Sequence, residues 1–330
     1  MENITKSKLA LFVSNAQTIR KEFKAHNAMT KRLAALLYAQ ENKTIDNESI
    51  RQCHTMMKQY TGIFSSFRGN MSLCIAALLS LSPDPRGLFE KTLQVYDMLK
   101  AAKLRASDYL VVSAFQIASR AEPADYQTAV NRTREFYDSM KSHSFFTTGH
   151  DDYIFAAMLG LSDLDVASGA ERIAQTAAQL KDKFWSKNSV QTLSQVLALG
   201  GSCDETISRV IALRDALRAQ RIKLDKAYTL PVLGILALLP VEIDTIIQDI
   251  SRAQQILKEQ KGFSSWYVSK QEILIYAAAI TAGEYAESAK CGIVTAAVST
   301  SITNIIIAQQ VAMIAIISST TAAASVAASS

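Results

Sequence analysis

The sequence predicts an all-α protein built from about seven tandem helical hairpins, and three observations predict it. Turn-forming residues are scarce: 12 Gly and 5 Pro in 330 residues are too few for the many tight turns of an all-β fold. Small, apolar segments recur at intervals of about 40 residues, the spacing of stacked helical pairs. Between them lie charged segments whose apolar residues fall at i, i+3, i+4 and i+7, the stripe of a helix with one face on a core. This pattern implies at least ~65% helix and no sheet of more than two strands. It leaves two architectures open, an open α-solenoid and a closed α/α toroid.

The first helix carries Leu9, Phe12, Val13, Ala16, Ile19 and Phe23 on one stripe. Its apolar run, Leu9 to Val13, is too short for the core of a signal peptide. The chain therefore reads as cytoplasmic. The recurring apolar helices contain Leu33 to Leu37, Ile75 to Leu79, Phe155 to Leu159, Val196 to Leu199 and Ile235 to Leu239. Being apolar nearly all round, they should be buried on most sides. Each is followed by an amphipathic partner. One carries Ile243, Ile246, Ile247, Ile250, Ala253 and Leu257, and an earlier one carries Leu88, Thr92, Val95, Tyr96 and Leu99. A register through the hairpins runs Thr30, Asn70, Tyr109, Tyr153, Gln191, Tyr228 and Tyr267.

The breaks fall between these helices. Pro83 and Pro85, Pro123, Gly200-Gly201 and Pro240 stand where an apolar helix should stop and its partner begin. Ser107-Asp108, Asp151-Asp152 and Ser189 are expected as polar caps that open the apolar helices. The organisation that follows is a repeat array over residues 1–290, apolar closing helices over 291–317 and an Ala/Ser-rich tail over 318–330. No charged residue occurs from Cys291 to Ser330, and Ile305 to Ile317 is strongly apolar. A closing helix over the last hairpin is the first reading of this segment, and a membrane or self-association segment is the second.

Charge and motifs narrow the function classes. The net charge of +5 is mild, and Lys and Arg alternate with Asp and Glu, so a nucleic-acid surface is not expected. Cys53, Cys74, Cys203 and Cys291 form no CxxC pair, and no metal or other cofactor is expected. There is no Gly-rich phosphate loop, GxSxG, HExxH or dinucleotide fingerprint. His150-Asp151-Asp152 is the one stretch with acid–base potential, and its adjacent carboxylates also suit a helix start. Arg68, beside Phe67, is suited to clamping an anionic group or to pairing with helix carbonyls. With Tyr109, Tyr153, Trp266 and Tyr267, and with Trp185 on a further junction, these residues form a candidate binding rim. The leading functional reading is a non-catalytic cytoplasmic scaffold for a protein or peptide. The alternatives are a helical-toroid enzyme with its site near Asp151 and Asp152, and a protein associated with a membrane through its C-terminal apolar segment.

Several blocks carry a resemblance. They are Ser65 to Asn70, Ser107 to Leu110, Asp151 to Tyr153 with Leu161 to Asp165, Leu193 to Leu199, Leu257 to Phe263, and the uncharged tail with Gln309-Gln310. Taken together the chain resembles the bacterial proteins catalogued as domain of unknown function 4003, over nearly its whole length. The resemblance implies no activity, cofactor or catalytic residue.

Overall fold

A computed structural model describes residues 2–143, 148–200, 204–226, 229–264 and 268–288. These residues are 75% helical, and no strand occurs among them. The closing segment and the tail expected beyond residue 290 lie outside the described residues, as do Tyr228, Trp266 and Tyr267.

Fourteen helices follow one another among the described residues: α1 (Glu2–Ile19), α2 (Ala28–Gln40), α3 (Asn47–Tyr60), α4 (Ser72–Ser80), α5 (Pro85–Ala101), α6 (Asp108–Arg120), α7 (Tyr126–His143), α8 (Tyr153–Gly160), α9 (Val166–Leu180), α10 (Lys187–Leu199), α11 (Asp204–Ala219), α12 (Leu230–Leu238), α13 (Ile243–Glu259) and α14 (Lys270–Ser288). The even-numbered helices are the apolar ones, and they are buried nearly all round; every residue of α8 is buried. The odd-numbered helices present one stripe to them. In α13 that stripe is Ile246, Ile247, Ile250, Ala253 and Leu257.

The hairpins are phased differently from the sequence blocks. Each amphipathic helix packs along the apolar helix that follows it (α1 on α2, α3 on α4, and so on to α13 on α14) rather than the one that precedes it. The turns after the apolar helices are shorter than most of the loops before them, and they carry the chain from one hairpin to the next. Apolar helices α2 and α4, α6 and α8, α10 and α12, and α12 and α14 lie side by side, and amphipathic helices pack around them. The array then closes: α14 touches α1 and α2, and α13 touches α1. The result is a ring of seven hairpins, with the even helices inside and the odd helices outside.

Two observations orient the inner helices. Early residues meet early residues, as where Arg32 near the start of α2 bonds Glu272 near the start of α14 at 2.8 Å. Late residues meet late residues, as where the Tyr38 hydroxyl of α2 lies 2.6 Å from Ser80 Oγ of α4. The inner helices therefore run parallel, and their N-termini share one end of the ring. Outer helices run the other way: Arg132, early in α7, donates to carbonyls at the end of α8.

Some local expectations need correction. Helix α1 ends at Ile19, and Phe23 sits beyond it with φ +49°, so it leaves the stripe. In α5 it is Phe89, not Leu88, that is fully buried. Helix α10 is capped by Ser186, whose Oγ accepts from Ser189 N at 3.3 Å; Ser189 lies inside the helix. Pro123 does stand in the break between α6 and α7 as expected, where it opens a 3-10 turn, Pro123–Asp125. The inner helices begin at 28, 72, 108, 153, 187, 230 and 270. The spacings of 44, 36, 45, 34, 43 and 40 swing around 40 without keeping one period, because the loops that feed the inner helices differ in length.

Candidate functional site

The two ends of the ring are built differently. At the end where inner helices stop, short turns return the chain to the outer layer, and arginines hold them. Arg132 Nε donates to Gly160 O at 2.9 Å, and its Nη2 to Ser162 O at 2.8 Å and Leu164 O at 2.6 Å. Arg209 does the same to Ala237 O at 2.9 Å, Leu239 O at 3.1 Å and Val241 O. One planar guanidinium thus satisfies three carbonyls that a helix end would otherwise leave open.

At the other end the inner helices begin, and longer loops feed them. Here side chains tie several units to the next. The Asp108 carboxylate of α6 accepts the backbone N–H groups of Asn70 and Met71, at the entrance to α4. The fit is close: a Cβ on Gly69 would stand 2.2 Å from Asp108 Oδ1, so the Gly in Phe67-Arg68-Gly69-Asn70 is required by space. Burial raises the Asp108 pKa against those two hydrogen bonds. One unit on, Arg105 N donates to the Tyr153 hydroxyl at 3.1 Å. That ring stacks on His150 at 5.3 Å and meets Tyr137 edge-on at 4.9 Å.

The densest polar group lies between α8 and α10. Residues His150–Asp152 form a 3-10 turn that runs straight into α8. Asp152 was expected to cap that helix, but its carboxylate turns elsewhere. Oδ2 accepts Gly149 N at 2.8 Å, and Oδ1 accepts Gln195 Nε2 at 2.6 Å. The helix needs no separate cap because the 3-10 turn already leads into it. Asp151 remains near the surface, where Asn188 Nδ2 reaches it at 3.3 Å, and Gln191 Nε2 donates to Thr148 at 2.8 Å. Asp152 is 3% exposed. Burial first, and the charge of Asp151 second, push its pKa up to about 7. A carboxyl poised near neutrality has the pKa of a general acid or base. Its two oxygens, however, already serve Gly149 and Gln195, and it is closed off from solvent.

The predicted rim residues thus divide. Phe67, Arg68, Tyr109, Asp151, Asp152 and Tyr153 all fall at this one end, because each precedes or opens an inner helix. Several are committed to the fold. Phe67 is 1% exposed and packs edge-on against Phe89 and Tyr96. Arg68 donates to the last carbonyls of α3, those of Lys58 and Thr61. Among the described residues, the large apolar side chains that do face solvent here are others: Tyr60 at the end of α3, Ile63 and Phe64 after it, and Trp185 before α10. Of these, sequence reasoning singled out Trp185 alone. The signal for Ile63 and Phe64 was available, since both stand in a loop with Gly62 and outside any helical stripe.

A further concavity lies where the ring closes, between the end of α1, the start of α2 and the turn after α13. No group of three His, Cys, Asp or Glu side chains suited to a metal occurs among the described residues. Cys53 and Cys74 are buried as free thiols, and burial raises the pKa of both. No helix among the described residues is long and apolar enough to cross a membrane.

No curated protein and no solved structure matches the chain. The model of one protein family matches residues 15–311, a span that takes in all seven inner helices and, of the first outer one, only its end. On that match the chain belongs to the family described as protein of unknown function (DUF4003).

Proposed function

We propose that this chain is a non-catalytic cytoplasmic scaffold that binds a protein or peptide with the long-loop end of its ring. One observation carries the reading: Trp185 is 100% exposed and Phe64 is 96% exposed, both on loops that feed inner helices. Burying such side chains in water-free contact is favourable, and Trp is among the residues that dominate binding energy at interfaces. Tyr60 and Ile63 extend the apolar surface beside Phe64. The two groups stand on the second and fifth hairpins, so a partner that covers the mouth of the ring would touch both. A catalytic role for Asp152 has less support, because a general acid or base must reach its substrate within hydrogen-bond distance.

The test is a comparison of captures from native lysate. Wild-type protein and a Phe64→Ala/Trp185→Ala variant with an unchanged helical signal would be used as baits, followed by quantitative mass spectrometry. The reading expects a set of proteins held by the wild type and lost from the variant. Identical sets from both baits would contradict it.

A further inference from the structure

The two ends of the ring carry opposite charge. The seven loops that feed inner helices hold twelve Lys and Arg against five Asp and Glu, a net of +7. The six turns that lead from an inner helix to the next outer one hold one Lys, Lys43, against eight acids, a net of −7. Along the chain the two kinds of segment alternate, so the charges look evenly mixed. Folding gathers each kind on one face.

Helix polarity accounts for part of this. The outer helices run from the short-turn end to the long-loop end, and an acid suits a helix start as a cation suits its last turn. Asp46, Asp84 and Asp165 cap outer helices, and Lys58, Lys100, Arg218 and Lys258 stand in their last turns. The inner helices α2, α6 and α10 are capped by neutral Asn27, Ser107 and Ser186, which bring no acid to the long-loop end. The loops then add cations beyond the helices. Lys21, Lys24, Lys103, Lys183, Arg221 and Lys223 are exposed, and none has an ion-pair partner among the described residues. Of the five acids there, Asp152 is buried, and Glu22 and Asp225 are paired with Arg51 and Arg218. At the other face Glu41, Glu122, Asp125, Asp163 and Glu242 are equally open to solvent.

We propose that the long-loop end docks on the short-turn end of a second copy of this chain, so that rings stack head-to-tail. The inference rests on the long-loop end being a protein-binding face, and it names the protein. Three properties favour a second copy. The two faces carry opposite net charges of equal size. Both are ends of one ring, so their outlines match. Between its acids the short-turn end offers half-buried Leu81, Leu161, Leu164, Leu199 and Val241, an apolar ground for Ile63, Phe64 and Trp185 of the facing ring. Burial of those side chains would supply most of the affinity, and the charges would set the orientation. Turning either ring over would bring like charges together. A contact between unlike faces does not close on itself, so the stack grows by repetition.

The test is sedimentation velocity of the full chain over a range of concentrations. The proposal expects larger species that grow with concentration at low salt, and association about tenfold or more weaker at ~0.5 M salt. Two variants each block one face: Phe64→Ala/Trp185→Ala the basic end, and Glu122→Lys/Asp163→Lys the acidic end. All four side chains are exposed, so the helical signal should be unchanged. Each variant alone should associate about tenfold or more weakly than wild type. An equal mixture of the two should form a 1:1 pair that grows no further, because one basic and one acidic face remain intact. A wild type that stays monomeric at low salt, association undiminished by Glu122→Lys/Asp163→Lys, or a mixture that forms no pair would each overturn the proposal. A monomer that still captures other proteins through Phe64 and Trp185 would overturn stacking alone and leave the partner reading standing. A monomer that instead binds phosphatidylglycerol vesicles through those residues would overturn both.

Discussion

The two ends of the ring solve the same problem, how to finish a helix, by different means. Where inner helices stop, Arg132 and Arg209 each gather three carbonyls from the end of the inner helix and the turn after it. Where inner helices start, polar ties join one hairpin to the next: Asp108 to the entrance of α4, Arg105 to Tyr153, Gln195 to Asp152. The first arrangement is local and repeats within a hairpin. The second leaves buried carboxyls with raised pKa values, and it sits among loops that carry exposed Phe64 and Trp185. Function tends to sit on loops over a rigid scaffold, and this contrast marks the long-loop end as the one free to vary.

The comparison predicts unequal damage. Arg132→Ala and Arg209→Ala should each cost about 2–4 kcal/mol, because they strip a charged donor from three carbonyls at once. Denaturant melts would show it; a cost below about 0.5 kcal/mol would mean that water replaces the guanidinium freely. Gly160→Ala, at the same end, should cost about 1–3 kcal/mol, since its Cβ would stand 2.7 Å from Thr133 Oγ1 and 2.8 Å from Thr133 N.

At the opposite end the expected signature is pH dependence. Asp152 has a pKa of about 7 in the folded chain, above the ordinary aspartate value. Between the two values the folded state holds a proton that the unfolded state has released, so stability falls as pH rises through that window and levels off above it. Asp152→Asn cannot titrate. Wild type should lose roughly 1–3 kcal/mol relative to this variant between pH 5 and pH 8. Parallel stability curves for the two proteins would show that Asp152 is not protonated in the fold. The smallest effect belongs to the exposed pair: Phe64→Ala and Trp185→Ala should each change stability by no more than about 0.5 kcal/mol, which is what makes them clean probes of binding.

Much of the architecture was legible. The all-round apolar runs, such as Phe155 to Leu159, marked the inner layer, and the stripe of α13 marked the outer one, because burial on all sides and on one side leave different periodicities. What periodicity could not carry was the partner of each helix. Pro85 and Pro240 mark a boundary without saying which side packs. Closure was likewise invisible, since it rests on Arg32 meeting Glu272 across 240 positions. Phe67, Arg68, Tyr109, Asp151, Asp152 and Tyr153 do stand together where inner helices begin, but their contacts there were not legible. Phe67 looks like an exposed aromatic in sequence and is core, whereas Phe64, three residues earlier, is solvent-facing. Phe67 lies within a 3-10 turn, Ser66–Arg68, and Phe64 in the loop before it, and no helical stripe extends into either.

Both the two-ended reading and the stacking of rings depend on the ring being closed, and the pair that closes it gives the most direct test. A double-mutant cycle of Arg32→Ala and Glu272→Ala, followed by denaturant melts, measures their coupling without reference to any ligand. Arg32 has a side chain 12% exposed and Glu272 one 4% exposed, so a closed ring predicts a coupling of about 1–3 kcal/mol, with the double variant less damaged than the sum of the singles. Additivity within about 0.5 kcal/mol would mean that the two ends of the array do not meet.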